Sequence, residues 1–398
     1  MKSFWNDLPH PFFILAPMEA VTDVVFRHVV AKAAPPDVWF SEFTNATGWV
    51  HAGEKAIGGR LLKTDDENPI VAQIWGGEPG DMEQLAAHSK QLGYHGIDIN
   101  MGCPAKSAVK SGGSALIRNP DLAAASIAAA KTSGLPVSVK TRLGYTYVDE
   151  WREWLTHLLR QDIVNLTIHL RTKKEMSKVP AHHELIPDIV KLRDEIAPHT
   201  LLTINGDIEN RAHGLEIIAK NPGVNGVMIG RGVFHDPFCF AESLPLPSLT
   251  DSSLEESPRR SLGAGPAPLD VTRLEPDVNK QSETQMVQSF LRGTTSEVQP
   301  KEFLPGAKNS LARNGTEGKT IGTSEASGAN KQYLIKLLHL HLDLFDHYQP
   351  QLHRPFETLK RFFKIYIREF DGASELRHTL MQTKSTDEVR AVLSKHSM

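Results

Sequence analysis

The stretch GIDINMGCP, residues 96–104, begins with a short apolar run and ends with Cys103 between a glycine and a proline. A run that is almost continuously apolar, rather than alternating, is typical of a strand covered on both faces in a parallel sheet. Glycine and proline disfavour the interior of a strand or helix, so the cysteine is expected in a loop. The stretch therefore predicts a buried strand with a thiol at its carboxyl end.

Seven further runs of this kind occur before residue 240, and the gaps between neighbouring runs are long enough for a helix. They comprise residues 12–18, 38–43, 69–76, 136–144, 164–171, 201–208 and 226–232. In one of the gaps, Asp81 is expected to cap a helix that Gly93 ends. Eight strands that alternate with helices predict an α/β fold, a (β/α)8 TIM barrel, for residues 1–246.

The composition changes after the predicted barrel. Residues 247–330 are rich in serine, threonine, glycine and proline, and from 251 to 330 only Phe290 and Phe303 are aromatic. Such a segment cannot bury enough apolar surface to offset the entropy lost on ordering, so a disordered linker or insertion is expected. Residues 331–398 regain apolar side chains at helical spacing, which predicts a small all-helical C-terminal domain.

Basic and aromatic residues alternate within this predicted helical domain. The basic residues are Arg354, Lys360, Arg361, Lys364 and Arg368, and the aromatic ones are Phe356, Phe362, Phe363 and Tyr366. Most of the basic positions fall close to one face of a helix, which suits contact with a phosphate backbone. A solvated helix face with aromatic rings packed inward is the alternative interpretation.

The bulk composition narrows the class of protein. No apolar run approaches the roughly 20 residues that span a bilayer, and Asp7, Pro9 and Pro11 interrupt the N-terminal run, so no membrane helix or secretory signal is expected. The two cysteines exclude a disulfide framework and favour a reducing compartment. A cytoplasmic location fits, with the nucleus and the mitochondrion left open. A formal net charge of −3 neither supports nor excludes a polyanionic partner.

Polar side chains and glycines recur where the predicted strands end, which is the end that carries the active site in TIM barrels. They are Pro17, Met18 and Glu19 after the first strand, Gln73 in the third, Asn100 and Cys103 at the fourth, Lys140 and Arg142 at the fifth, His169 and Arg171 at the sixth, Asn205, Gly206 and Asp207 at the seventh, and Gly230 and Arg231 at the eighth. The glycines after the last two strands suit the phosphate site of such a barrel, although plain tight turns are the alternative. Lys140 and His169 suit negative charge on a reduced flavin.

Seven segments in order resemble the tRNA-dihydrouridine synthase family over residues 12–235. They are APMEAVTD, VAQIWGG, GIDINMGCPAKSAVKSGGSALIRNP, VSVKTRLG, TIHLRT, INGDI and MIGRG. The resemblance implies an FMN-dependent barrel followed by a helical tRNA-binding domain. It also implies an oxidoreductase of tRNA processing, a flavoprotein that uses NADPH to reduce selected uridines to 5,6-dihydrouridine. Two departures from the family pattern are Leu170, where members commonly have glycine, and the insert from 251 to 330.

The resemblance also implies roles for the site residues. The residues that line or hydrogen-bond the flavin are Pro17, Met18, Glu19, Gln73, Lys140 and His169, and those that hold its phosphate are Asn205, Gly206, Asp207, Gly230 and Arg231. Cys103 is the general acid, Asn100 grips the uracil, and Arg142 and Arg171 face the substrate. No metal is implied.

A proton donor is required because hydride addition to one end of the uracil double bond leaves negative charge at the other. A thiol of ordinary pKa is mostly protonated at pH 7 and can supply that proton. An inert buried cysteine and a thiolate nucleophile are the alternatives for Cys103. The target uridine must also leave its stack, so RNA contacts are expected from the basic C-terminal helices, extended by Lys106, Lys110 and Arg118.

A second function fits the same flavin pocket. An FMN-dependent small-molecule oxidoreductase that acts on a free pyrimidine or another unsaturated carbonyl compound has no need of a basic helical domain. A binding protein without activity would be expected to lack Cys103 or Lys140, and both are present.

Overall fold

A computed structural model of the chain describes residues 3–57, 59–109, 112–242 and 323–396. The predicted linker, 247–330, lies outside the described residues as far as residue 322, as do Lys110 and the side chain of Lys106. A helix begins at Thr323, inside the predicted linker and ahead of the predicted start of the helical domain.

The described residues form one sheet of nine parallel strands. They are β1 (Phe12–Leu15), β2 (Trp39–Phe40), β3 (Thr44–Asn45), β4 (Ile70–Trp75), β5 (Gly96–Asn100), β6 (Val137–Arg142), β7 (Asn165–His169), β8 (Leu201–Asn205) and β9 (Gly226–Ile229). Their order is β1-β9-β8-β7-β6-β5-β4-β2, with β3 beside β4. A parallel bridge between Ile14 and Val38 joins the two ends of this order, so the predicted TIM barrel is confirmed.

One predicted strand differs from the structure. Residues 38–43 form only the short β2, and β3 follows after a break. The break arises at Ser41, because its side-chain hydroxyl accepts a hydrogen bond from the backbone N–H of Gln73 at 3.0 Å. In a continuous strand, a backbone carbonyl would accept that bond. The break frees Glu42 to turn its carboxylate toward the β1–α1 loop.

Helices follow the strands around the barrel. They are α1 (Val24–Ala33), α2 (Ala46–Ile57, with a break at Gly53), α3 (Pro79–Gln91), α4 (Lys106–Val109), α5 (Pro120–Lys131), α6 (Trp151–Leu159), α7 (Ile186–Ile196), α8 (Arg211–Lys220) and α9 (Gly232–His235), with single 3-10 turns at Phe4–Asn6, Gly113–Arg118, Val148–Glu150 and His183–Leu185. The prediction that Asp81 caps α3 is wrong, because Glu78 is the cap residue and Pro79 takes the first helical position. Gly93 does follow the helix end, with φ +78°.

The C-terminal region is helical, as predicted. It contains α10 (Thr323–Leu352), a 3-10 helix (Phe356–Phe362), α11 (Phe363–Tyr366), α12 (Ala373–Gln382) and α13 (Thr386–Lys395). An aromatic cluster packs this region against the barrel, with the ring centres of Phe26 in α1 and Phe362 separated by 4.8 Å. None of the described helices is long and apolar enough to cross a membrane.

Strand register positions the predicted site residues. Asn100 lies opposite Lys140, and Arg142 lies opposite His169. His169 lies in turn opposite Asn205. The carboxyl ends of β5 to β8 therefore bring these side chains to one mouth of the barrel.

Candidate active site at the barrel mouth

The Cys103 loop is held in place by the last residue of β5. The amide oxygen of Asn100 accepts hydrogen bonds from the backbone N–H groups of Gly102 at 3.0 Å and Cys103 at 2.9 Å. The backbone oxygen of Cys103 accepts a further bond from the N–H of Ser114 at 3.1 Å. A side chain at Gly102 would meet the backbone of Thr141 at 3.3 Å, so glycine allows the loop to lie close to β6. Asn100 thus shapes the loop, which is a role that the sequence did not predict.

A buried chain of hydrogen bonds fixes Asn100 in turn. Its amide nitrogen donates to the side-chain oxygen of Gln73 at 2.9 Å, and the Gln73 nitrogen donates to Asp98 at 2.7 Å. Ser138 donates to the other oxygen of Asp98 at 2.6 Å. Burial raises the pKa of Asp98 to about 6. Sequence reasoning missed Asp98, although a carboxylate within the apolar run GIDIN was a visible signal.

The Cys103 thiol is half-buried and stays protonated at neutral pH. Burial raises the pKa of the thiol, the Ala105 backbone N–H opposes this effect, and the Glu19 carboxylate reinforces it. Arg142 and Lys140 act weakly in the opposite direction. The thiol is therefore not fully buried, which argues against an inert buried cysteine. It is also not ionised, which argues against a thiolate nucleophile.

Lys140 brings an amine without a partner to the same mouth. It makes no hydrogen bond or ion pair with any residue that the structure describes. Burial, and then the charge of Arg142, lower the pKa of Lys140 to about 8. A half-buried amine without a protein acceptor is suited to an anionic or strongly accepting ligand.

His169 is neutral and its orientation is fixed. Nη1 of Arg171 donates to Nε2 of His169 at 3.1 Å, so this ring nitrogen accepts and the other carries the proton. Burial, followed by the charges of Arg142 and Lys140, holds the pKa of His169 well below 6.5. The ring can therefore donate one hydrogen bond but carries no positive charge, whereas the sequence analysis expected a cation at this position.

The two arginines predicted to face the substrate are engaged by the protein. Arg142 donates to the backbone oxygens of Gly102 at 2.8 Å, Thr172 at 3.0 Å and Met176 at 2.9 Å. Arg171 donates to the Val179 oxygen at 2.6 Å, in addition to its bonds with His169 and Asp207. Both side chains are buried. They connect the loops after β5, β6 and β7 rather than presenting open guanidinium groups.

The ends of β8 and β9 form a cradle of backbone donors. The N–H groups of Gly206, Asp207, Gly230 and Arg231 donate to no group within the described ranges. Gly206 has φ +122°, a conformation that favours glycine. The Arg231 side chain is 62% exposed and donates to Asp207 at 2.7 Å. Four free donors and an exposed guanidinium suit a phosphate.

Two of the predicted phosphate ligands have other partners. The Asn205 amide donates to the backbone oxygen of Met228 at 2.8 Å. Asp207 accepts from Arg171, Arg231 and the Ala181 N–H. Burial acts to raise the pKa of Asp207, but these hydrogen bonds outweigh it and lower the pKa. An ionised carboxylate cannot donate to a phosphate, so Asp207 positions Arg231 instead.

The loop that carries Pro17, Met18 and Glu19 is held by Glu42 and by the C-terminal region. Ala20, next to it in sequence, has φ +55°, and its N–H donates to Glu42. Arg361 donates to the Ala20 oxygen at 3.3 Å. Both the N–H and the carbonyl oxygen of Ala20, whose backbone is in the left-handed region, are therefore fixed by side chains. Neither contact was predicted.

Glu42 is fully buried, and Arg354 is its charged partner. The other terminal nitrogen of Arg354 pairs with Asp23 at 2.9 Å. Burial raises the pKa of Glu42 to about 7, although Arg354 lowers it. The Glu42–Arg354 ion pair therefore joins the C-terminal region to the cofactor-facing loop of the predicted barrel site.

The predicted basic helix face is only partly formed. Residues 356–366 are split between a 3-10 helix and a short α-helix, so the expected single face does not form. Arg354 is 11% exposed and pairs with Asp23, Lys360 donates to the Met381 oxygen at 3.0 Å, and Arg368 lies 3.7 Å from Asp236. Arg361 and Lys364 are exposed. The aromatic side chains Phe362, Phe363 and Tyr366 are buried, as the alternative interpretation expected.

Comparisons with known proteins identify the family of this chain. Residues 14–260 match the sequence profile of the family described as "Dihydrouridine synthase (Dus)". The chain is 48% identical over 394 residues to "Probable tRNA-dihydrouridine synthase 2" of Bacillus subtilis, which covers 98% of this chain and 96% of that protein. It is 46% identical over 396 residues to "Probable tRNA-dihydrouridine synthase" of Staphylococcus aureus, with coverage of 99% and 95%.

Proposed function

The chain belongs to the dihydrouridine synthase family, and from that premise we propose that it reduces specific uridines of tRNA to 5,6-dihydrouridine, with FMN as its cofactor and NADPH as the electron donor. The observation that carries the proposal is the protonated Cys103 thiol at the mouth of the barrel, beside Lys140. A tRNA substrate would place the enzyme in the cytoplasm. The barrel would carry the chemistry, and the helical region would assist in binding tRNA.

The residues at the mouth fit FMN. The free N–H groups of Gly206, Asp207, Gly230 and Arg231 would hold its phosphate, and the Arg231 guanidinium would add a positive charge. Lys140, which lacks a protein partner, would bind the electron-rich part of the ring system. The neutral His169 would donate a hydrogen bond to it. Pro17 and Met18 would line it, Gln73 would donate its remaining N–H, and Glu19, whose carboxylate pairs with Arg60, would border it.

Bound FMN, reduced by NADPH, would supply a hydride to one carbon of the uracil double bond. Cys103 would donate its thiol proton to the other carbon, so that the base gains one hydride and one proton. Arg142 and Lys140 would stabilise the thiolate left behind, because both lower the pKa of this thiol. Water would then return the proton to sulfur. Asn100 would keep the Cys103 loop in position and present its remaining N–H to the uracil.

Binding of FMN is expected to weaken as pH rises through about 8. The free protein holds Lys140 with a pKa of about 8, so its positive charge is present below that pH and lost above it. Titration of the apoprotein with FMN, followed by flavin fluorescence between pH 7 and 9, measures the effect. A Lys140→Met variant should bind FMN more weakly at pH 7, without this pH dependence. A wild-type affinity for FMN that does not change between pH 7 and 9 would contradict the proposed role of Lys140 in binding FMN.

The reaction itself is tested in cells. tRNA from cells that lack this protein should contain less dihydrouridine, a plasmid copy should restore it, and a Cys103→Ala copy should not. Unchanged dihydrouridine in every strain would refute the proposal. Purified enzyme that reduces free uridine as fast as tRNA would instead support an FMN-dependent small-molecule oxidoreductase.

A further inference from the structure

A cationic and aromatic surface lies at the rim of the barrel mouth, on the loops after β5, β6 and β7. We call it the rim patch and define it by Arg118, Tyr145, Tyr147, Lys173, Lys174 and Met176. Tyr147 is 65% exposed, the largest value for a large apolar side chain in the described part of the chain, and Met176 is 45% exposed. Large exposed apolar side chains that cluster on neighbouring loops mark interaction sites.

The cations of the rim patch lie against its aromatic rings. The guanidinium carbon of Arg118 is 5.0 Å and the ammonium of Lys173 is 4.7 Å from the ring centre of Tyr145. The ammonium of Lys174 is 5.5 Å from the ring centre of Tyr147. None of these three cations pairs with a carboxylate of a described residue. Unpaired cations beside accessible rings are the composition of a single-strand nucleic acid surface.

The rim patch is also ordered in advance of any ligand. The Glu150 carboxylate accepts from the backbone N–H groups of Tyr145 at 2.6 Å and Tyr147 at 2.9 Å. The N–H groups of Lys173 and Lys174 donate to the oxygens of Gly144 and Tyr145, each at 2.9 Å. Glu150 is thus occupied with backbone donors, and the two loops are joined. A surface fixed in this way loses little entropy on binding.

Arg142 connects the rim patch to the catalytic loop. Its side chain bonds the Gly102 oxygen, next to Cys103, and the Met176 oxygen within the patch. The rim patch and the loop that carries Cys103 are therefore joined through one buried side chain. When the target uridine leaves its stack, its neighbours lose a stacking partner, and an aromatic ring nearby offsets that cost.

We propose that the rim patch binds the tRNA nucleotides next to the target uridine, with Tyr147 stacking on one base and with Arg118, Lys173 and Lys174 neutralising phosphates. This inference rests on the proposed function. It assigns the main local RNA contact to the barrel rim, whereas the sequence pointed to the C-terminal helices, whose arginines are largely engaged within the protein. A protein partner at the same surface is the competing occupant.

The test compares tRNA binding by four full-length holoenzyme variants at fixed salt. Tyr147→Ala should weaken tRNA binding about 10-fold, as expected for the loss of one stacked base. Tyr147→Phe keeps the ring and should bind within about 2-fold of wild type. Lys174→Ala should reduce the slope of log affinity against log salt by about 0.7. Leu215→Ala removes an exposed side chain from α8, one of the helices around the barrel, and should leave tRNA affinity and its salt dependence unchanged.

Reduction of the bound flavin by NADPH without tRNA supplies the readout that separates the two proposals. The rate should be the same in all four variants, because none of the three substituted positions belongs to the residues proposed to hold FMN. If Tyr147→Ala binds tRNA like wild type while the wild type reduces tRNA, the rim inference is wrong and the function stands. If Tyr147→Phe loses as much tRNA affinity as Tyr147→Ala, the proposed stacking of Tyr147 on a base is wrong. If wild type neither binds nor reduces tRNA, both proposals fail.

Discussion

Replacing Cys103 by alanine is expected to lower the turnover of tRNA by about 10²- to 10⁴-fold, the usual contribution of a general acid. The reason is that the variant lacks the group proposed to give the proton, whereas Arg142 and Asn100 would still hold the loop in place. Affinity for FMN and for tRNA should stay near the wild-type values. Single-turnover oxidation of the reduced flavin by saturating tRNA measures the loss.

The chain supplies its own control for this experiment. Cys239 is the only other cysteine; it is buried, and burial raises its pKa far above the ordinary value. Cys239→Ala should therefore leave turnover unchanged. Cys103→Ser should be nearly as slow as Cys103→Ala, because a serine hydroxyl is a much weaker acid than a thiol. A Cys103→Ala enzyme with wild-type turnover would show that the proton comes from elsewhere.

The pH dependence of turnover follows from the same assignment. A general acid works in its protonated form, and the pKa of Cys103 is raised by burial. Turnover should therefore persist into mildly alkaline solution and fall only as pH rises through the thiol pKa. Turnover that instead increases as pH rises through the thiol pKa would indicate a thiolate nucleophile.

Replacing Arg354 by alanine is expected to cost about 3–5 kcal/mol of unfolding free energy, because it leaves the buried Glu42 carboxylate without its cation. Asp23 loses the same partner. The effect should reach the cofactor as well, since Glu42 fixes Ala20 beside the loop of Pro17, Met18 and Glu19. Urea unfolding of the apoprotein and FMN titration measure the two consequences.

Arg390 provides the matched control in the same region of the chain. It pairs with Asp343 and Asp346, but all three side chains are substantially exposed. Arg390→Ala should therefore cost less than about 1 kcal/mol and leave FMN affinity unchanged. Adding Glu42→Gln to Arg354→Ala should recover part of the lost stability, because no ionised Glu42 then remains. Equal losses of unfolding free energy in Arg354→Ala and Arg390→Ala would contradict the stabilising role of the Glu42–Arg354 ion pair.

The sign of the pH effect at Glu42 can be stated in advance. Its folded pKa of about 7 lies above the ordinary value of 4.5, so the folded state holds a proton that the unfolded state releases. Its contribution to stability therefore declines as pH rises from about 4.5 to about 7. Without Arg354 the folded pKa should rise further, so the deficit of Arg354→Ala should grow as pH rises through and above about 7.

The sequence predicted most of the fold because each strand of a parallel barrel is a local apolar run. It also predicted where the site lies, since strands of one direction end at one mouth whatever their exact register. Cys103, Lys140 and the glycines at 206 and 230 needed only this rule to be brought together. The linker from 247 to 330 remains a prediction outside the described residues, apart from the helix that starts at Thr323.

Charge partners and pKa values depended on the tertiary structure. Arg354 looked like part of an RNA-binding face, but it pairs with Glu42, 312 positions away in sequence. Arg171 and Asp207 looked like ligands for substrate and phosphate, yet they bind each other. Periodicity fixes which face a side chain is on, but not which distant group lies opposite it or how much water remains. The sequence alone therefore determined the barrel and the mouth that carries the candidate site, whereas only the packed structure decided which cations are left without a protein partner.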